Sequence, residues 1–333
     1  MDICIASDEN YATILQVVML SAMESNKSSD SITFHIFEYK MSDKSKNNIL
    51  STVRRYNRKL VFYSVDDCVE NIQSKIDNEW ANNNSYVAYA RIFMADILPK
   101  HILTFLYLDC DVLINDDISE IFNIELKDNV VAAVKDVLSY EYKDFMGFSK
   151  GNYYNSGVLY VNAKKWREER LTEKISEYCN AHPEDLFPDQ DAINILLRER
   201  IYTLPPKYCV FYPENSWSVN LQIKGYGGNI KTYYSESELI DAKQNPSIIH
   251  YTDSVIGRPW QKNNINPYAG AWLKYYEMLP ESNRIDFKEK KIGWKTKVYR
   301  IFYKALPSSI FGKMYYSRRN SDLNARIERI KKC

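Results

Sequence analysis

Short runs of β-branched and aromatic residues alternate along this chain with stretches whose apolar residues recur at helical spacing. That alternation limits the fold more than any other feature. The runs include "DICIA", "ITFHIFEY", "LVFYSV", "LTFLYLDCDVLI", "VVAAV" and "GVLYVN", and helical patterns such as "DKSKNNILSTVRRY" and "VAYARIFMADIL" lie between several of them. Strands separated by helices predict a layered α/β domain around a mostly parallel sheet. Ligands of such sheets gather at the carboxyl ends of the strands, where "ASDEN" and "DCD" both fall. A hydrophobic content of 45% in 333 residues, with 27 Tyr, supports a sizeable core and excludes a disordered chain.

The stretch "FLYLDCDVLI", 105–114, ends an apolar strand on two carboxylates, Asp109 and Asp111. Residues i and i+2 of a strand share a face, so the two charges converge and call for a cation, a divalent metal first. An Asp-x-Asp alone is weak, since many such pairs cap turns. Haloacid-dehalogenase-type phosphatases also carry one after a strand, but near the N-terminus and running on to Thr; here Val112 and Leu113 follow. Glycine is scarce at 10 residues, and neither GxGxxG nor GxxxxGK[ST] occurs. A phosphate-bearing ligand would therefore meet a metal here and not a glycine cradle. "KGYGGN", 224–229, reads as a plain loop.

Six stretches in order carry a resemblance: "IASDENYA" at 5–12, "VAYARIFMADILP" at 87–99, "FLYLDCDVLIND" at 105–116, "YYNSGVLYVNAKKWR" at 153–167, "FPDQDAIN" at 187–194 and "IIHYTDSVIGRPW" at 248–260. Over roughly the first 270 residues the chain resembles glycosyltransferase family 8, the retaining, nucleotide-sugar-dependent group that includes bacterial lipooligosaccharide galactosyltransferases. The resemblance implies a GT-A fold, a Rossmann-like mixed sheet flanked by helices. It implies transfer of galactose or glucose from a UDP-sugar to a glycan of a bacterial surface polysaccharide or lipopolysaccharide, with an α-linkage. A metal-dependent phosphatase and a non-catalytic sugar-binding protein are the alternatives.

Each motif has a physical reading beside the family's. Asp8 and Asn10 can hydrogen-bond a pyrimidine edge and Tyr11 can stack on it, or Asp8 or Asn10 simply caps a helix; the resemblance places uracil there, with backbone contacts from Ala6. His250 follows the apolar "SII" and ends a strand. Lone histidines are mostly core residues, but with two carboxylates an imidazole favours Mn²⁺ over Mg²⁺, and the resemblance makes Asp109, Asp111 and His250 the metal ligands, with Cys110 between the carboxylates at the donor. Arg91, a charge among apolar neighbours, pairs internally with Asp96 or another acid; the family reading sets it at the donor sugar and diphosphate. Asn155 is either a turn residue before a strand or a ligand to sugar hydroxyls, the latter favoured because Gly157 allows close backbone approach. In "PDQDAIN", acids in a helix's first turn suit its dipole. The resemblance lets Asp189 bind donor hydroxyls and puts Gln190 beside the anomeric carbon. An amide is a poor nucleophile, so Gln190 stabilises oxocarbenium charge during front-face attack. The family's His-x-x-Gly-x-x-Lys-Pro-Trp departs here: Asp253 stands three after His250, and Gly257 and Arg258 align with the phosphate-binding pair across a longer loop.

From Glu281 to Cys333 there are 15 Lys and Arg against 5 Asp and Glu, a net +10; the whole chain's +1 then leaves −9 for residues 1–280. The chain therefore divides into a catalytic domain, 1–280, and a basic, aromatic, helical C-terminal region, 281–333. On a helix through "GWKTKVYRIFYKAL", Lys297, Arg300 and Lys304 share one face and Val298, Phe302 and Leu306 another; Leu323, Ile327 and Ile330 form a second stripe. The region is read as a segment associated with an anionic membrane, against the alternative of a helix pair packed on the domain. Six cysteines without a CxxC suggest a reducing compartment, and "MDICIASDEN" has no signal-peptide pattern. The expected location is cytoplasmic, peripheral to the inner face of the cell membrane. Net charge gives no reason to expect nucleic acid.

Overall fold

The computed structural model describes residues 1–29, 31–73, 86–148, 151–182, 187–211, 217–225, 233–252 and 254–331. The "YGG" of 226–228, with Asn229, and Asp253 lie outside them. Two compact units divide the chain: Met1–Val134 with Tyr154–Leu204 and Leu279–Arg284, and Lys135–Tyr153 with Pro205–Met278 and Ile285–Cys333.

The first unit is built on β1 (Asp2–Asp8), β2 (Thr33–Tyr39), β3 (Lys59–Ser64), β4 (Thr104–Leu108), β5 (Val112–Ile114), β6 (Val131–Lys135), β7 (Tyr154–Asn162) and β8 (Ile201–Thr203). Seven of them form one sheet in the order β3-β2-β1-β4-β7-β6-β8. β1 pairs in parallel with β2 and β4, β2 with β3, and β6 with β8, while β4 and β7 run antiparallel. Central strands covered on both faces need no alternation, and β1 is buried from Ile3 to Ser7. The helix Ala12–Ser25 is also buried nearly all round, from Ala12 to Met23. The chain moves outward from β1 through β2 to β3, then returns to place β4 on the other side of β1. The gap between the carboxyl ends of β1 and β4 is thus the topological switch point. Ile5 stands opposite Leu108, so Asp8 and Asp109 leave neighbouring strands at that edge.

The predicted helix through "VAYARIFMADIL" is in fact a 3₁₀ stretch, Tyr86–Ile92, followed by a short α-helix, Met94–Ile97. Its carbonyls are claimed by side chains: Ala88 by Arg91 Nε, Ile92 by Thr172 Oγ1 and Ala95 by Arg167 Nη1. Asn155 lies inside β7, which removes the turn alternative for it.

The second unit holds β9 (Val210–Phe211) and β10 (Ile248–His250), paired in parallel. Two helices, Trp294–Ala305 and Ser308–Ile330, end it. The longer one packs inward through Phe311, Tyr316, Leu323 and Ile327. At Gly312 it approaches the helix Val219–Gly225 so closely that a Cβ would stand 2.3 Å from Leu221 Cδ2. None of the described helices is long and apolar enough to cross a membrane.

Candidate active site

Arg91 is the hub of the first unit's carboxyl-edge cluster. Its guanidinium lies 3.1 Å from Asp109 Oδ1 and 3.0 Å from Asp189 Oδ2, not beside the exposed Asp96. Nη1 also donates to the Ser156 carbonyl at 2.6 Å and its hydroxyl at 2.8 Å. The ring of Tyr107 lies 4.8 Å beneath the guanidinium, and the Tyr107 hydroxyl donates to Asp109 Oδ1. Burial works against the charge of Arg91, but Asp109 and Asp189 outweigh it and hold its pKa above the usual arginine range. Burial likewise raises the Asp189 carboxyl, partly offset by Arg91.

Asp189 opens the helix Pro188–Leu197, whose N-terminal dipole favours its charge. It is only 2% exposed, yet Oδ2 has no aligned hydrogen-bond donor among the described residues. Arg91 Nε gives its hydrogen to Ala88 instead.

Gln190 follows on the same helix turn. Its Oε1 accepts from Ser156 N at 3.0 Å, Asn155 Nδ2 at 3.2 Å and Ser156 Oγ at 3.4 Å. A backbone N–H can only donate, which fixes the amide with its carbonyl toward β7. Asn155 Oδ1 takes the Gly157 N–H, and Asn194 bonds both the Gln190 carbonyl and the backbone of Tyr154. The helix and strand are thereby locked in register.

Asp109 and Asp111 follow β4, the Asp109 N–H bonded to the Gly157 carbonyl at 2.8 Å. Both carboxylates are partly accessible, with ligand oxygens within 4.8 Å of each other. This spacing suits two hard oxygen ligands to one divalent ion. Cys110, between them, turns inward and donates its thiol to the Ala6 carbonyl at 3.0 Å; burial raises its pKa far above the ordinary thiol range. It is thus a tie between β1 and the Asp turn. Asp8 Oδ1 accepts the Tyr11 N–H, the capping arrangement, with Asn10 in the intervening 3₁₀ turn.

In the second unit, His250 ends β10, 4% exposed, with Nδ1 3.6 Å from Cys209 Sγ and its ring against Phe211. Gly257 takes φ +78°, where a side chain is strained, and a Cβ would meet Gln261 Oε1 at 2.8 Å. Arg258 Nε donates to the Tyr251 carbonyl and its guanidinium lies over Trp260. Sequence reasoning missed Tyr107, Ser156 and Asn194. Strand alternation put Tyr107 on the face of Asp109, so that residue was within its reach.

A mixed sheet with an Asp-x-Asp at its switch point, backed by a buried Arg–Asp cluster, defines a GT-A nucleotide-diphospho-sugar transferase fold. The family model for glycosyl transferase family 8 matches residues 2–264, and the chain belongs to that family of glycosyltransferases. General stress protein A of Bacillus subtilis (strain 168) is 26% identical over 83% of this chain and 92% of its own length. A lipopolysaccharide 1,2-glucosyltransferase of Escherichia coli (strain K12) is 33% identical over 60% of this chain and 55% of its own. Among solved structures, the galactosyltransferase LgtC in complex with donor and acceptor sugar analogs shares the fold with a TM-score of 0.71, at 22% identity, over 85% of this chain and 98% of that one. The phosphatase and silent-binder alternatives find no support in these likenesses.

Proposed function

We propose that the protein is a retaining hexosyltransferase that moves galactose or glucose from a UDP-sugar to a surface glycan such as lipopolysaccharide, forming an α-linkage. The single observation that carries the reading is the Asp109–Asp111 pair at the sheet's switch point, with Arg91 ion-paired to both Asp109 and Asp189 behind it. Family membership and the name of the Escherichia coli relative support the substrate class.

Asp109, Asp111 and His250 are the residues that would hold a divalent ion, Mn²⁺ before Mg²⁺, because imidazole joins two carboxylates. Such an ion supplies Lewis-acid neutralisation of the diphosphate and of the departing UDP. Asp8, Asn10, Tyr11 and the Ala6 backbone receive the uracil, and Gly257 and Arg258 the phosphates. Asp189 and Asn155 hold the sugar hydroxyls, with Arg91 ion-paired to Asp189. Gln190 Oε1 already accepts from Ser156 and Asn155, which makes it a still poorer nucleophile and favours front-face attack. The acceptor oxygen bonds to the anomeric carbon as the bond to the phosphate oxygen breaks. That phosphate oxygen takes the acceptor's proton, and UDP leaves. Gln190 supports the oxocarbenium-like charge as a fixed dipole.

Incubation with UDP-galactose or UDP-glucose, Mn²⁺ and a panel of core oligosaccharides tests the reading. Release of UDP and an α-anomeric proton in the product's NMR spectrum are expected. A β-linked product, or no UDP release from any donor, would overturn it.

A further inference from the structure

A second site lies within the second unit, lined by none of the residues assigned to the donor. A cavity of about 420 Å³ opens between Ser254–Val255, the segment 290–293, the first turns of the helix Trp294–Ala305 and the middle of the helix Ser308–Ile330. Six cations line it: Lys290, Lys291, Arg300, Arg318, Arg319 and Arg326. Asp322 is the sole carboxylate of the lining among the described residues, 3.5 Å from Arg318 Nε. Among the described residues six cations face one carboxylate around this concavity, a field that favours an anion.

The cations are also prearranged. Arg300 is 9% exposed and its guanidinium is tied to the carbonyls of Val255, at 2.7 Å, and Asn263. Arg319 Nη1 donates to the Val137 carbonyl at 2.7 Å, and Arg318 stacks over the Tyr299 ring at 4.4 Å. Guanidiniums held in this way lose little freedom on binding and match the planar edges of a phosphate. Arg326 is exposed and makes no ion pair among the described residues, and Lys291 is exposed beside it in the lining. The Thr296 hydroxyl adds a neutral donor. Tyr299, Tyr315 and Leu323 provide an apolar wall. The volume is that of a site for an organic molecule and far exceeds the need of a bare ion.

We infer that this cavity binds the phosphate of an organic phosphomonoester, the arginines and Lys291 taking the charge and the tyrosine–leucine wall the attached carbon skeleton. The source of that chemistry is either a lipid headgroup or a soluble phosphorylated metabolite, and two probes separate them. The full-length protein in EDTA, at constant ionic strength, is titrated with glycerol 1-phosphate and with dihexanoyl phosphatidic acid below its micelle concentration. Thermal unfolding and calorimetry are read. A saturable rise in the unfolding midpoint is expected with at least one probe. A response to both identifies the phosphomonoester alone as sufficient, and a response confined to phosphatidic acid identifies a lipid headgroup. Lys291→Gln with Arg326→Gln should weaken the affinity about tenfold or more, as expected from losing charge-assisted bonds. The same double variant should unfold no earlier than the parent without ligand, because it relieves repulsion. Asp109→Asn should leave the response unchanged, which separates this site from the donor reading. No saturable response to either probe, or an equal response in the double variant, overturns the inference.

Discussion

Arg91 cannot be exchanged for another cation. One guanidinium meets Asp109, Asp189 and both oxygens of Ser156, and a lysine ammonium cannot span that fork. Arg91→Lys should therefore lower turnover about tenfold to a hundredfold while the protein still folds. Arg91→Met, which strands Asp189 without a countercharge, should also cost about 3–5 kcal/mol of stability. Transfer rates and denaturant melts together check both; wild-type turnover in Arg91→Lys would mean the arginine is merely structural. Lys143 makes a second prediction at this scale. Burial, aided by Lys135, lowers its pKa to about 8 from 10.5. Below pH 8 the folded protein carries the full cost of the buried charge. Between pH 8 and 10.5 the folded state releases a proton that the unfolded state keeps, so this group's contribution to stability rises with pH. Lys143→Met should raise the unfolding midpoint at pH 7, and its advantage should shrink by pH 10. The need of Arg91 for an acid was legible in the sequence, because a charge in an apolar helix pattern must be paired. The choice of Asp109 and Asp189 over Asp96 was not, since it follows from which strand ends the sheet brings together.

Among the elements, strand existence was the most legible feature, because β-branched and aromatic runs bounded by polar residues leave few other options. The segment 86–97 was less so. Its apolar spacing is helical, but Thr172 and Arg167, distant in sequence, take its carbonyls and break the helix in two. The tail's two helices also differ more than their similar patterns suggested. Arg300, expected to share one basic face with Lys297 and Lys304, is buried against the carbonyls of Val255 and Asn263. Leu323 and Ile327 are buried core positions, as the packed-helix alternative supposed for that stripe. The helix Ser308–Ile330 consequently depends on Gly312, where a Cβ would collide with Leu221 Cδ2 at 2.3 Å and meet Trp217 at 3.1 Å. Gly312→Ala should cost roughly 1–3 kcal/mol through overpacking, despite alanine's better helix propensity. Urea melts settle the sign; a more stable variant would show that the contact relaxes freely.

At the scale of the whole molecule, charge is segregated: net +10 from residue 281 onward against −9 before it. We propose that this region holds the enzyme to an anionic membrane surface through the helix Trp294–Ala305. Trp294, Val298, Ile301 and Phe302 recur at helical spacing on one face, and all four are exposed, Trp294 by 72% and Ile301 by 62%. Lys295, Lys297 and Lys304 flank them, also exposed. Each lysine near such a surface contributes on the order of 1 kcal/mol, which salt screens, whereas burial of the apolar face persists in salt. Removing the tail is the wrong test, because Phe311, Tyr316, Leu323 and Ile327 belong to the second unit's own core. Point substitutions on the exposed face avoid that damage. The full-length protein should sediment with phosphatidylglycerol vesicles at low salt and be only partly released by 0.5 M NaCl as a roughly fivefold rise in ionic strength shortens the screening length. Trp294→Ser with Ile301→Ser should abolish the salt-resistant fraction, and Lys295→Gln with Lys297→Gln the salt-sensitive one. Both pairs should keep the parent's unfolding midpoint, since these side chains lie outside the core. Indifference of the parent protein to anionic vesicles at low salt would defeat the membrane reading while leaving the donor chemistry of the first unit intact.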